Sequence, residues 1–263
     1  MDILRKSMAP ICDEAWEEIN ENAIKVFTSV LSARKFIDVE VPKGWDFSAL
    51  AMGRLEIPTG QSGDVHYGIR QVLPLIEARV PFELNIWELD NIVRGTKNID
   101  LDNMEEAARK LARFEEDAIY KGFKPGHIKG IKECLHHDSL KLPADDDEIV
   151  EGISEAIVRL KTASVEGPYS LVLNARQWKR FNSSGKGYPL PKRVENLLGG
   201  SIIMAPYVED AYLISERGGD FEMVIGQDIS IGYESHTQKA VQLYFTESFT
   251  FHVINPDAVV LFK

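Results

Sequence analysis

Trp16, Ile19, Ala23, Val26, Phe27, Val30 and Leu31 recur at three- and four-residue spacing, with Glu17, Glu18, Glu21 and Lys25 on the opposite side. That period predicts a long amphipathic helix over residues 13–35, entered after Pro10 with Asp13 as its N-cap. The pattern then changes. Gly44, Gly53, Pro58, Gly60, Gly63 and Gly68 punctuate short runs. Leu55 and Ile57 alternate before a turn at 59–63, Val65, Tyr67 and Ile69 after it, and Ala78, Val80, Phe82, Leu84 and Ile86 further on. This predicts a β-hairpin with a loose polar tip. The tip carries little bulky core, so an arm of this kind must bury its face on a neighbour, a first indication of self-assembly.

A second helix is marked by Leu101, Met104, Ala108, Leu111, Ala118 and Ile119, with Asp102 as cap, Glu105 three residues on, and Gly122 as the stop. From 124 to 222 the pattern is mixed. Residues 147–161 are amphipathic, 169–173 read as a buried strand, and 175–181 and 190–198 as short helices. Residues 211–217 and 220–225 flank Gly218-Gly219, which predicts a two-residue hairpin turn. Near the end Val241, Leu243, Phe245, Phe249, Phe251 and Val253 alternate with polar residues, and Glu247 alone breaks the apolar side. The predicted strand is longer than usual, and a bulge near Glu247 is expected to divide it.

Composition narrows the function. The 263 residues carry 30 Lys+Arg against 41 Asp+Glu, a net charge of −11. Phosphate backbones reward basic residues, so a general nucleic-acid binder is not expected. Cys12 and Cys134 alone make no disulfide framework and fit a reduced cytoplasmic setting. Residues 1–11 lack the apolar run of a signal peptide, and no stretch has the length of a membrane span, so no membrane partner is expected.

Catalytic motifs are missing: no Walker A sequence, no GxSxG elbow and no HExxH. Cys134, His136 and His137 are at most a partial metal set, and a polar surface loop explains them better. His66 and His127 are isolated. The run Asp145-Asp146-Asp147-Glu148 lacks the glycine and spaced oxygens of a calcium loop and suits a helix start. Trp87 is either a core or interface aromatic or a stacking platform for a ligand. No catalytic residue, metal or required cofactor is expected.

The order of elements (long helix, β-arm, spine helix, α/β insertion, long terminal strand) resembles the tailed-phage major-capsid fold of the Hong Kong 97 type, an α+β architecture. Local sequences resemble encapsulin shell proteins of family 1, the linocin or bacteriocin type. They are Ser7-Met8-Ala9-Pro10, residues 33–39, Leu73-Pro74-Leu75-Ile76-Glu77, Trp87-Glu88-Leu89-Asp90-Asn91, Gly167-Pro168-Tyr169, and residues 215–221, 226–233 and 246–251. Ala33 departs from the glycine of many members. The resemblance implies an N-terminal segment 1–44, an E-loop arm 45–75, a P-domain with the spine helix 76–125, an A-domain insertion 126–225, and P-domain terminal strands 226–263.

It also implies function: a non-catalytic protomer that assembles in the cytoplasm into an icosahedral cage of about sixty copies, or a multiple. Such cages enclose ferritin-like proteins or dye-decolourising peroxidases that carry a C-terminal targeting peptide, in iron storage and oxidative-stress protection. The resemblance places the peptide on Phe27, Val30, Leu31, Arg34, Phe36 and Asp38, closed by Asp228, Ile229, Ser230 and Ile231. An apolar groove with one Arg and two Asp suits an extended peptide. The alternative is that these residues only pack the wall. It further implies a five-fold pore at Ser183, Ser184, Gly185, Lys186, Gly187 and Tyr188, and flavin near Trp87. Two other functions are compatible with parts of the pattern: a phage or prophage major capsid protein, disfavoured by the acidic balance, and a soluble α/β enzyme.

Overall fold

The computed structural model describes residues 3–143, 145–183 and 189–263. Helix α1 (Asp13–Val30) is followed by the short strand β1 (Asp38–Val39) and the arm, β2 (Ala49–Glu56) and β3 (Ile69–Pro74). Next come β4 (Ile76–Asn85), α2 (Ile86–Val93), the spine helix α3 (Asp102–Tyr120) and α4 (Asp146–Thr162). The chain continues through β5 (Tyr169–Leu173), α5 (Ala175–Ser183), α6 (Leu190–Leu198), β6 (Gly199–Met204) and β7 (Ala211–Ser215). It ends with the long strands β8 (Phe221–His236) and β9 (Ala240–Val253), then β10 (Val259–Phe262).

Two four-stranded sheets result. One has the order β1-β8-β9-β4, the other β10-β7-β5-β6; among the described residues β2 and β3 pair only with each other. On the first sheet, Phe82, Leu84, Val241, Leu243 and Phe245 share a core with α1 and α3. Ala107, Ala108 and Ala112 on α3 let α1 approach closely, because the spacing of packed helices depends on the side chains between them. The second sheet forms another core with α4, α5 and α6, which also takes in Phe249 and Phe251 of β9. One face of β9 therefore serves both cores, and Glu247 lies between Phe245 and Phe249.

Several elements match the sequence pattern and several depart from it. The stripe of α3 is buried, and Gly122 ends the helix at φ +93°, its N–H donating to the carbonyls of Asp117 and Ala118. Asp145 caps α4 by accepting from the N–H groups of Asp147 and Glu148, so the acidic run is a helix start. Helix α1 stops at Val30, and residues 33–35 form a separate 3-10 turn. Asp13 is a first-turn acid, and Cys12 occupies the cap without a side-chain bond. The cap of α3 is Leu101; the carboxylate of Asp100 accepts from the N–H of Asp102. Ile86 begins α2, because Asn85 caps that helix through the N–H of Trp87.

Gly218-Gly219 is not a hairpin turn. β7 pairs with β5 and β10, whereas β8 pairs with β1 and β9, so the two glycines carry the chain from one sheet to the other. Both have left-handed φ, 82° and 79°, a conformation nearly restricted to glycine. Nor is β9 divided. The irregularity opposite Glu247 belongs to β8: Gln227 pairs with Ser248 and Ser230 with Thr246, so Asp228 and Ile229 together oppose one residue.

Candidate functional site

The β8 bulge faces the end of α1, and between them runs a groove of about 570 Å³. Ala23, Ile24, Phe27, Thr28 and Leu31 line it from α1 and its C-cap, Ile229 and Ile231 from β8, and Phe245 from β9. Phe27 meets Phe245 edge-on at 5.2 Å. The bulge is locked by its own polar groups. The side chains of Gln227 and Ser230 donate to the Asp228 carbonyl, and Asp228 Oδ1 accepts from the Ile229 N–H. Two residues against one turns Asp228 toward Arg34 and leaves Ile229 on the groove.

Beneath the groove lies a polar knot that the sequence barely marks. Arg34 donates from Nε and Nη2 to Glu115 (2.6–3.1 Å), from Nη1 to Asp228 (2.9 Å) and from Nη2 to Glu247 (3.3 Å). The guanidinium thus ties the turn after α1 to α3, β8 and β9. Burial pulls its pKa down, but the hydrogen bond and charge of Glu115, with Asp228 and Glu247 behind, more than reverse this. Glu247 is buried; burial and the charge of Glu115 hold its carboxyl protonated well above the ordinary range, against the pull of Arg34. Its Oε1 is buried and has no hydrogen-bond partner among the described residues. Next to it, Glu116 accepts from the N–H groups of Ser32 and Ala33 at 2.9 Å and from the Ser32 hydroxyl. Burial pushes Glu116 up to about 7 despite these donors.

Of the residues expected on the groove, Phe27, Leu31, Arg34, Asp228, Ile229, Ser230 and Ile231 line it together. Val30 is half-buried against the α1–α3 core. Phe36 is buried, its ring facing Tyr120 and Phe221 at 6.2 and 6.3 Å. Asp38 accepts from the Gly219 N–H at 2.5 Å, holding the crossover between the sheets. Sequence reasoning missed Glu115 and Glu116, both buried on α3. The one available signal was Glu247, a lone carboxylate on an apolar strand face.

Elsewhere, Ser183 ends α5 with its hydroxyl donating to the Arg180 carbonyl. Ser184, Gly185, Lys186, Gly187 and Tyr188, the rest of the expected pore loop, lie outside the described residues. Trp87 is 68% exposed in the first turn of α2. A single exposed indole offers one stacking face. His136 Nδ1 and His137 Nε2 lie 3.2 and 2.9 Å from Asp257 oxygens, and no group able to hold a metal ion occurs among the described residues.

This fold recurs in capsid-like particles. The virus-like particle from Pyrococcus furiosus superposes with a TM-score of 0.67 at 17% identity, covering 94% of this chain and 99% of that one. The capsid of Myoviridae Phage XM1 gives 0.55 at 13% identity, covering 88% and 91%. The fold is therefore that of the tailed-phage major capsid. In sequence, residues 1–250 match the family model described as encapsulating protein for peroxidase. A type 1 encapsulin shell protein of Rhodococcus erythropolis is 41% identical over 262 residues, 99% of each chain. Its counterpart from Mycobacterium tuberculosis is 36% identical over 261 residues, covering 99% of this chain and 98% of that one. Fold, length and sequence agree: the chain belongs to the type 1 encapsulin family of shell proteins.

Proposed function

We propose that copies of this chain close into a cytoplasmic icosahedral cage that takes up a cargo enzyme by docking a short C-terminal targeting peptide of the cargo in the groove between α1 and β8. The observation that carries this reading is the groove itself: apolar walls from α1, β8 and β9, set on a pre-formed ion network. An extended peptide with small aliphatic anchors fits such a site, because the order of the walls is established before binding. The family description names peroxidase as an encapsulated protein, and a peroxidase or ferritin-like cargo gives the cage a part in iron storage and oxidative-stress protection. In the same reading, residues 45–75 form the arm between subunits, 126–225 the domain at the symmetry axes, and 183–188 the five-fold pore.

The test uses groove residues that the subunit does not need for its own core. Ile24 is 63% exposed and Thr28 is exposed, yet both line the groove. The double variant Ile24→Asp/Thr28→Asp should give particles of wild-type size by size exclusion and negative-stain microscopy, emptied of co-expressed cargo. Cargo retained at the wild-type level would reject the docking site.

A further inference from the structure

A second cleft, of about 540 Å³, lies between the root of the arm and the far end of β9. Met52, Gln71 and Leu73 line it from the arm, and His252 and Val253 from β9. The arm bends at this point. Met52, Gly53 and Arg54 together oppose Gln71, and Gly53 takes a left-handed φ of 67° in the bulge. The remaining wall is the loop after α3, which carries Lys129. That loop is held firmly. Phe123 and Ile128 exchange backbone hydrogen bonds of 2.9 and 3.1 Å, and Gly130 lies so close to the Gly122 nitrogen that no side chain fits there.

Polar groups at the cleft are left unmatched. On the polar face of β9, the Thr246 hydroxyl donates to the Ala78 carbonyl at 3.0 Å, and Ser248 Oγ accepts from the Gln227 N–H at 2.8 Å. Further along the same face, Thr250 Oγ1 and His252 Nδ1 are buried without a hydrogen-bond partner among the described residues. Glu222 Oε2 stands 3.6 Å from His252 Nδ1, but burial pushes the imidazole below the usual histidine range and favours the neutral ring. Buried polar atoms nearly always find partners, so two orphans at one end of a cleft point to a ligand.

The charges point the same way. Arg70 and Lys129 both line the cleft, and among the described residues neither has a carboxylate within ion-pair distance, Glu56 on the arm side included. Asp2 is the one acidic residue outside the described ones. Its chain neighbour Ile3 is bonded through its carbonyl to Tyr244, about 26 Å along β9 from His252.

We infer that this cleft binds a small amphiphilic anion, its apolar body over Met52, Leu73 and Val253 and its acid headgroup, carboxylate or phosphate, drawn to Arg70 and Lys129. The volume lies within the range of small-molecule sites. A molecule seated there touches the arm and the body at once, so its binding couples the position of one to the other.

The experiment titrates intact wild-type particles with octanoate, octyl phosphate, 1-octanol and octylammonium by calorimetry, each below the concentration at which it self-associates. The acids should bind about fivefold or more tighter than octanol, as two exposed ion pairs allow. The tighter of the two acids names the headgroup. Octylammonium should bind more weakly than octanol. Lys129→Gln, a surface change that leaves the arm untouched, should shrink the gap between acid and alcohol. Lys129→Glu, which cancels the charge of Arg70, should close it. Ile24→Asp/Thr28→Asp, in the groove between α1 and β8, should leave it unchanged. Equal binding of acid and alcohol to wild-type particles overturns the inference. So does a gap that survives Lys129→Glu, or one that vanishes with the groove variant. Absence of binding by the whole panel, as when a neighbouring copy fills the cleft, overturns it too.

Discussion

β9 and the β2–β3 arm both alternate apolar with polar residues, but β9 buries its apolar side within the chain while the arm leaves Leu55, Ile57, Val65, Tyr67, Ile69 and Val72 exposed. β9 is flanked by β8 and β4, with helices over its face. Among the described residues the arm has no third strand, and its tip is closed by the Gln61 side chain, which donates to the Tyr67 carbonyl and accepts from the Tyr67 N–H. A two-stranded hairpin is marginal alone. Alternation thus announces an apolar face without saying whose core will cover it. Shell proteins of this family assemble with copies of themselves, and the arm presents an apolar face that a single copy leaves uncovered.

The largest expected effect breaks that contrast on the arm side. Ile57→Asp/Tyr67→Asp places two charges on the exposed face, where Ile57 is 71% accessible in the single subunit. Size exclusion should show free subunits in place of a megadalton particle, with an unchanged far-UV spectrum. Particles of wild-type size would mean that this face covers nothing. Phe245→Ala tests the other side. Phe245 is buried against Phe27 and Phe82, with centroids at 5.2 and 4.8 Å. Truncation should cost about 3–5 kcal/mol, seen as a lower melting temperature even in the non-assembling arm variant. A loss confined to particles would blur the distinction between the two strands.

Much of the fold was legible where local signals and burial agree: α3 with Gly122, α4 with Asp145, and α6 over its whole length. What escaped depended on distant pairing. Gly218-Gly219 has the composition of a tight turn, yet β8 is claimed by β1 and β9, and β7 by β5 and β10. The Ile86-Trp87 pair favours a strand in isolation, and only the Asn85 cap turns it into a helix. The site was half legible. Phe27, Leu31 and the 228–231 segment stand on the groove, but periodicity cannot show that Glu115 and Glu116, adjacent on one helix, are both buried. Their partners, Arg34 and the backbone of residues 32–33, lie more than eighty positions away.

Glu247 makes β9 an imperfect counterpart to the arm, and removing its partner sharpens the difference. Arg34→Ala leaves Glu115 buried without its cation. The cost should be about 3 kcal/mol, the low end for a broken buried pair, since the Arg34 side chain keeps 19% exposure. Replacing the knot as a whole, Arg34→Met/Glu115→Gln/Glu247→Leu, should recover most of that loss, because apolar substitutes for buried ions are often neutral. A triple variant no more stable than Arg34→Ala would show that the knot does more than satisfy its own charges.

The smallest effect is one of pH, and it separates what a copy does alone from what it does with neighbours. Glu116 rises from an ordinary 4.5 to about 7 in the fold. A carboxyl with a raised folded pKa binds more protons folded than unfolded between those values. Its contribution to stability is therefore full below about pH 4.5 and is lost as pH rises through about 7. The groups facing it include Ser32 and Ala33 from the turn, Glu115 and Tyr120 from α3, and Tyr207 from the loop after β6; the negative charge of Glu115 adds to the effect of burial. Glu116→Gln keeps an acceptor for the Ser32 and Ala33 N–H groups and cannot ionise. Between pH 4.5 and 7.5 the wild type should lose on the order of 2 kcal/mol relative to this variant. Because Glu116 lies inside one copy, the same difference should appear in the melting of the free subunits of the arm variant as in whole particles. A pH dependence seen only in particles would place the titrating group between copies, on the side of the arm.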